Sequence, residues 1–385
     1  MPQPIRLAFL GVDHPHGAAW RELIGQFTGE LAVAAIVPGF GGATTSLEER
    51  LADVPRFETV DALIARGAFD AAVVCLPDRE TPDAVATLAR AKKHVLVEKP
   101  SARTAAEWQP AVDAVRDAGV AFQNGYVFRY DRAAERLKAM VREGRFGRLI
   151  SVEMTFVTSD VRRRGADHYL FDRASSGGGF FHWLACHSFD LLAYVTDEPV
   201  VGVTARTGVY GGVPTDVEDG GAVILELAGG GIATLVGGYW IPRWAGENRW
   251  TIRGTERWVE WNPSDGGGRL DIHGPQPHWH AMEETFRIPA DTARGYGGGK
   301  GFALVRDWLD AIASRRPCRN TPDTTRAVLE ILDALYRSSA ESRRIACHIR
   351  AGSNETEPRW HGVCPTTTDT GRQSSHDDSE LGQRR

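Results

Sequence analysis

The chain of 385 residues is long enough for two domains with their own cores, and its 42% hydrophobic and 25% charged residues are ordinary for a soluble globular protein. A formal net charge of −5, with Arg162-Arg163-Arg164 as the one dense basic run, gives no electrostatic reason for a nucleic-acid or anionic-membrane partner. Five scattered cysteines (Cys75, Cys186, Cys318, Cys347 and Cys364) lack zinc or redox spacing, and no apolar run reaches membrane-spanning length, so a cytoplasmic protein is expected.

Strand-like and helix-like segments alternate from the start. Ile5 to Leu10 reads as a strand, Ala18 to Phe27 as a helix and Leu31 to Val37 as a strand. Ala71 to Leu76 (strand), Pro82 to Ala91 (helix), Val95 to Val97 (strand), Ala105 to Ala118 (helix) and Ala121 to Gln123 (strand) follow. Such alternation predicts βαβ units, so residues 1–125 are expected to form a doubly wound parallel sheet of Rossmann type.

Beyond that the grammar changes. A helix from Arg132 to Glu143 is followed by strands at Leu149 to Phe156, Val200 to Thr207, Gly221 to Leu227, Gly231 to Tyr239, Trp250 to Ile252 and Trp258 to Trp261. Consecutive strands with glycine-rich turns predict an α+β domain over 126–345 with a large, mostly antiparallel open sheet. Helices at Phe302 to Ala313 and Thr324 to Ser339 close it, and 346–385 reads as a polar, disordered tail.

Lys99 ends the short apolar strand Val95 to Val97, and Pro100 stops the ladder. Ligands gather at the carboxyl ends of strands in open α/β sheets, so this amine stands where it could donate to, or deprotonate, a substrate hydroxyl. A solvated turn lysine is the bland alternative.

The turn after the first strand reads Gly11-Val-Asp13-His14-Pro15-His16-Gly17. A dinucleotide fingerprint would be G-x-G-x-x-G, and only Gly11 falls in register. Asp13 puts a carboxylate where a diphosphate would approach, and two like charges about 5 Å apart repel by roughly 3 kcal/mol at an effective dielectric near 20. It must therefore turn away, be paired by His14 or His16, or mark a different ligand. The strand Leu31 to Val37 should end in an acid that binds the adenosine ribose, yet it runs into Pro38-Gly39-Phe40-Gly41-Gly42.

The phrase Lys93-His-Val-Leu-Val-Glu98-Lys99-Pro100, after Pro77-Asp78 and a helix, resembles the Gfo/Idh/MocA family of glucose-fructose oxidoreductase and inositol dehydrogenase. Tyr126-Val-Phe-Arg129-Tyr130, Glu143-Gly-Arg-Phe-Gly147, Gly177-Gly178-Gly179 with His187 and Asp190 downstream, and Val217-Glu-Asp219 resemble further family segments in the same order. The resemblance covers nearly all of residues 5 to 345. It implies a Rossmann domain, NAD or NADP as cofactor, oxidation of a sugar or polyol hydroxyl or the reverse, and a homodimer or homotetramer built through the open sheet face. Lys99 and His187 map onto the family's proton-transfer residues. Gly11, Asp13, His14, His16, Pro77, Glu98 and Lys99 are the implied cofactor contacts, and Tyr126, Arg129, His182 and Trp183 the implied substrate contacts.

One departure stands out. The family carries an aspartate four residues before its histidine, where this chain has Trp183. Positions four apart share a helix face, so an indole replaces a carboxylate in the same space. His182 would lie about 140° from His187 on a regular helix and can substitute only if the helix start is distorted. Asp190, at i+3, is expected to orient His187 or bind substrate, as a third member of the catalytic set.

Bland readings stand beside these. His187 could be a core histidine satisfied by Asp190, and His14, His16, His182 and His187 could converge on a metal, although their spacing suits no standard helical ligand pair. Trp240, Trp244, Trp250, Trp258 and Trp261 read as core or subunit interface, His278-Trp279-His280 as a surface loop, and Arg162 to Arg164 as a solvated charge run or part of a loop over the site. Two other functions remain open: a lyase or isomerase using Lys99 and the histidines for proton abstraction, and a degenerate ligand-binding homologue.

Overall fold

The computed structural model describes residues 3–40, 51, 53–242, 245–264, 268–275, 282–289 and 291–347. The expectations for Gly41, Gly42, Trp244, His278 to His280, Cys364 and the polar tail lie outside the described residues.

The first sheet contains β1 (Ile5–Leu10), β2 (Leu31–Val37), β3 (Ala71–Val74), β4 (His94–Val97) and β5 (Phe122–Asn124), all parallel, in the order β2-β1-β3-β4-β5. Its helices are α1 (Gly17–Ile24), α2 (Val60–Arg66), α3 (Thr81–Arg90) and α4 (Ala105–Ala118). The four residues of β3 are fully buried, as a strand covered on both faces requires. Strand order reverses between β1 and β3, which opens a crevice at the carboxyl ends of β1, β3 and β4. Helix α4 matches its expected bounds to the residue. Thr104 accepts the Glu107 amide at its start, and Gly119 ends it at φ +64 in the left-handed region.

The chain then passes through α5 (Arg132–Arg142), β6 (Leu149–Ser159), the short α6 (Arg173–Ser176) and α7 (Cys186–Thr196) into a second sheet. This sheet adds β7 (Val200–Gly208), β8 (Gly220–Leu227), β9 (Ile232–Ile241), β10 (Gly246–Gly254), β11 (Trp258–Trp261), β12 (Arg269–His273) and β13 (Met282–Arg287). After helices α8 (Gly299–Ser314) and α9 (Pro322–Glu341), β14 (Ile345–Ala346) completes it. The order is β13-β12-β11-β10-β6-β9-β8-β7-β14, antiparallel throughout except for β6 beside β9. Strands β12 and β13 and helix α2 were not among the predicted elements.

One face of this sheet buries Val152, Met154, Val203, Val223, Leu225 and Leu235 beneath α7 and α9. The other leaves Ile150, Ile224, Ile232 and Val236 exposed, an alternation with apolar residues on both sides. Trp250 and Trp261 pack against each other in the core, while Trp258 stacks on His273. Helix α8 returns to the first sheet, where Leu304, Val305 and Trp308 share a core with Trp20 and Leu23 of α1. The described cysteines Cys75, Cys186, Cys318 and Cys347 are free, and no described helix is long and apolar enough to cross a membrane.

Candidate active site

The turn after β1 needs glycine at its first position. Gly11 sits at φ +68, and a Cβ there would fall 2.1 Å from the Cys75 carbonyl oxygen. Asp13 points sideways, to the end of β2, where Oδ1 accepts the Gly39 amide at 2.8 Å and Oδ2 the Phe40 amide at 2.9 Å. Of the alternatives open to Asp13, it turns away from the glycine turn, and backbone N–H groups compensate this carboxylate. His14 Nδ1 accepts the His16 amide at 3.0 Å, so its proton sits on Nε2, 2.9 Å from the Tyr169 hydroxyl. Burial, reinforced by the His16 and Lys99 charges against the pull of Glu98, pushes the His14 pKa down to about 3. His16 turns the other way, with Nδ1 3.5 Å from Glu98 Oε2 and its ring between those of Trp183 and Tyr296.

At the end of β4, Glu98 is buried and accepts the Trp20 indole N–H at 2.5 Å and the Tyr296 hydroxyl at 3.2 Å. Burial alone would raise its pKa, but the charge and hydrogen bond of His16, with Lys99 and His14, hold it well below the usual carboxylate range. Lys99 is 1% exposed. Its ammonium donates to the Trp183 carbonyl at 2.5 Å, lies 3.8 Å from the centre of the Trp183 ring and stands 4.0 Å from Glu98 Oε1. A buried cation thus has a carbonyl, a π face and a carboxylate around it, the combination that makes such a charge tolerable. The solvated-lysine reading does not hold. Pro77 and Asp78 follow β3, and burial raises the Asp78 pKa well above its ordinary value against the pull of Lys99.

The segment facing Lys99 starts irregularly. Glu218 accepts the amides of Gly179 at 2.9 Å and Phe181 at 3.0 Å and the Tyr336 hydroxyl at 3.0 Å, so an acid from the strand entry caps this helix start. Residues Phe181–Ala185 then form a π-helical turn that runs into α7. The distortion needed for His182 to leave its regular-helix direction is present, but its Nε2–H donates to the Ala102 carbonyl at 2.9 Å, 3.8 Å from Asp78. Burial brings the His182 pKa down to about 4.

His187 is partly buried, edge-on to the rings of Tyr126 and Phe128, and burial together with the nearby Lys99 charge puts its pKa well below the ordinary value. Asp190 does not orient it. Arg129 holds Asp190 in a buried pair, with Nε 3.0 and 2.9 Å from the two carboxylate oxygens and Nη2 2.7 Å from Oδ1. Two charges this deeply buried must satisfy each other, so both are withdrawn from the expected roles: Asp190 from the catalytic set and Arg129 from substrate contact.

The connection carrying Arg162 to Arg164 covers the site. Tyr169 reaches His14 and Phe40, Arg79 donates to Ser175 at 3.1 Å, and Arg103 donates to the Ala174 carbonyl at 2.9 Å. Within the run itself, Arg162 pairs with Asp160 and Arg164 lies over the Tyr239 ring. Sequence reasoning missed Trp20, Tyr169 and Tyr296. Only Trp20 had a signal, standing one helical turn after His16. Among the described residues no group of three His, Cys, Asp or Glu side chains converges on a metal position.

Comparison with known proteins agrees with this layout. The family model "Oxidoreductase family, NAD-binding Rossmann fold" matches residues 6–126, and "GFO/IDH/MocA C-terminal domain" matches residues 134–260. Inositol 2-dehydrogenase of Rhizobium meliloti is 29% identical over 307 residues, 75% of this chain and 84% of that protein. The 2,7-anhydro-N-acetylneuraminate hydratase of Escherichia coli is 24% identical over 278 residues, 69% of this chain and 68% of that protein. A levoglucosan dehydrogenase solved in complex with NADH shares the fold at TM-score 0.77 and 18% identity, over 90% of this chain and all of that one. The two models together span more than half of the sequence, and the chain belongs to the Gfo/Idh/MocA family of NAD-binding oxidoreductases.

Proposed function

We propose that the chain interconverts a hydroxyl and a carbonyl on a sugar, polyol or related small molecule, beside the carboxyl end of β4. Lys99 is the acid/base group and His187 its partner. The observation that carries this reading is a set of buried polar atoms without a protein partner near Lys99: Trp183 Nε1, Tyr126 Oη and His187 Nδ1. Each unmet buried group costs about 1–3 kcal/mol, so three in one neighbourhood mark the place of a ligand.

A nicotinamide dinucleotide fits these residues. Gly11 keeps the close backbone turn, and the unpartnered indole and imidazole nitrogens lie by the β4 end, where the ring of such a cofactor belongs. Gly11, Asp13, His14, His16, Pro77, Glu98 and Lys99 would hold it, and when bound it supplies the hydride acceptor or donor. One of the three donors on Lys99 Nζ goes to the Trp183 carbonyl, which leaves others for the reacting oxygen. Lys99 and His187 together handle the hydroxyl proton, which leaves for this pair during oxidation and returns from it during reduction, and burial disfavours charge on His187 itself. The Tyr126 hydroxyl offers a further hydrogen bond to substrate, and Trp183 and Tyr169 shield the site from water.

A second reading, proton abstraction with elimination or addition of water, draws support from the indole at position 183 and from the hydratase among the relatives. Titration of the purified protein with NAD, NADH, NADP and NADPH, followed by intrinsic fluorescence, separates the two. Micromolar binding of at least one form supports the redox reading, and binding of none sinks it.

The exposed face bearing Ile150, Ile224, Ile232 and Val236 fits self-association into a dimer or tetramer. Light scattering is expected to give a multiple of the chain mass that Ile232→Lys with Val236→Lys reduces to one chain; a monomeric wild type at micromolar concentration contradicts this.

A further inference from the structure

We propose that Asp13 supplies, from the turn after β1, the carboxylate that recognises the adenosine ribose, and that the chain therefore selects NAD(H) over NADP(H). This inference rests on the oxidoreductase reading above and extends it to the cofactor.

The end of β2 cannot supply that acid itself. A Cβ at Gly39 would fall 2.7 Å from Leu76 Cδ2 and 3.1 Å from the Cα of Gly11, so the backbone there already abuts the glycine turn. Pro38 and Phe40, on either side, carry no charge. The carboxylate that reaches this corner comes instead from Asp13, across the turn, and the amides of Gly39 and Phe40 fix each of its oxygens. The side chain is held in one orientation before any ligand arrives, and it is partly open to solvent.

Two consequences follow from the chemistry of the group. A carboxylate oxygen can accept more than one hydrogen bond, so bonds from backbone amides do not exclude the 2′- and 3′-hydroxyls of a ribose. A 2′-phosphate meets the opposite conditions. It would lie against a fixed negative charge, and the two backbone N–H groups that could have received it are already bonded to Asp13. The same geometry explains how an acid is accommodated at the second position of the glycine fingerprint. Turned toward β2, its charge is compensated there.

The test uses the full-length protein and competitors that carry only the adenosine end: ADP-ribose and its 2′-phosphorylated form, with NADH and NADPH run in parallel. Wild type is expected to bind ADP-ribose and NADH at least about tenfold more tightly than their 2′-phosphorylated counterparts. Asp13→Asn is expected to bring that ratio to within about threefold of unity by weakening the unphosphorylated ligands and relieving the repulsion on the others. Equal binding of the two forms by wild type, or an unchanged ratio in Asp13→Asn, overturns the assignment of Asp13 alone. Binding of none of the four ligands overturns the oxidoreductase reading and this inference with it. Should Asp13→Asn fail to fold, the wild-type ratio still decides.

Discussion

The carboxyl end of β4 and the turn after β1 lie side by side yet hold their charges in different ways. At β4, Glu98 and Lys99 are buried with indoles, a tyrosine hydroxyl and a backbone carbonyl around them, and each depends on the other's charge. At the turn, Asp13 is partly exposed and accepts backbone amides on both oxygens, while His14 avoids charge altogether by staying neutral. The contrast separates two kinds of site. On the proposed function, the group that acts on a proton, Lys99, is preorganised in a low-dielectric interior where its interactions are strong, while the carboxylate proposed for the ribose sits at a wetter edge.

Three perturbations sharpen that contrast, beginning with the largest. Glu98→Gln removes the carboxylate beside a buried ammonium and is expected to lower unfolding free energy by about 3–5 kcal/mol in chemical denaturation. A loss below about 1 kcal/mol would mean that Lys99 does not depend on it.

The second perturbation concerns pH. The folded pKa of His14 is about 3, below its unfolded value near 6.5, so between these values the unfolded state binds more protons. Its contribution is fully present above about pH 6.5 and is lost as pH falls toward the folded value. Wild type should therefore lose about 1.4 kcal/mol more per pH unit than His14→Gln over this window, measured as the difference between their denaturation curves. Taking the difference matters because Asp78 and Glu218, with raised pKa values, act in the opposite sense in both proteins. Parallel curves for the two proteins would show that His14 is not a buried neutral imidazole.

The smallest effect belongs to the wet edge. Asp13→Asn keeps one amide bond as a neutral one and turns an NH2 donor toward the other amide, which at a partly exposed position should cost about 1 kcal/mol in the same assay. A cost equal to that of Glu98→Gln would erase the distinction between the two regions.

Much of the fold was legible because its signals are local. Strand β2 is an apolar run between Gly29 and Pro38, and α4 carries its own cap at Thr104 and stop at Gly119. Strand-end logic made Lys99 a candidate beside the solvated-turn alternative, and the family resemblance then pointed to it and to Glu98. Strand β12 does alternate, with Leu270 and Ile272 buried between Arg269, Asp271 and His273, but its signal spans only five residues, and β13 sets Glu283 beside Glu284 with no period of two. The parts of the site that stayed hidden depend on partners distant in sequence. The π-helical turn at Phe181–Ala185 starts from amides fixed by Glu218, Arg129 claims Asp190 from another element, and Tyr296 reaches Glu98 from just ahead of α8. The π-helical turn upsets the regular spacing of positions 183 and 187, whereas His187 and Asp190 both lie in regular α7, where a helical wheel cannot register a competing guanidinium. That is why Asp190 was assigned to the wrong partner.

The central claim is that Lys99 handles the proton of a redox reaction at the β4 end. Its most direct test follows nicotinamide absorbance across a panel of aldoses and polyols, with wild type and Lys99→Met run in parallel and dinucleotide affinity measured for both. The account predicts turnover by wild type that Lys99→Met lowers by about 100- to 10,000-fold with dinucleotide affinity largely retained. Full turnover by Lys99→Met on a substrate of the wild type would contradict it.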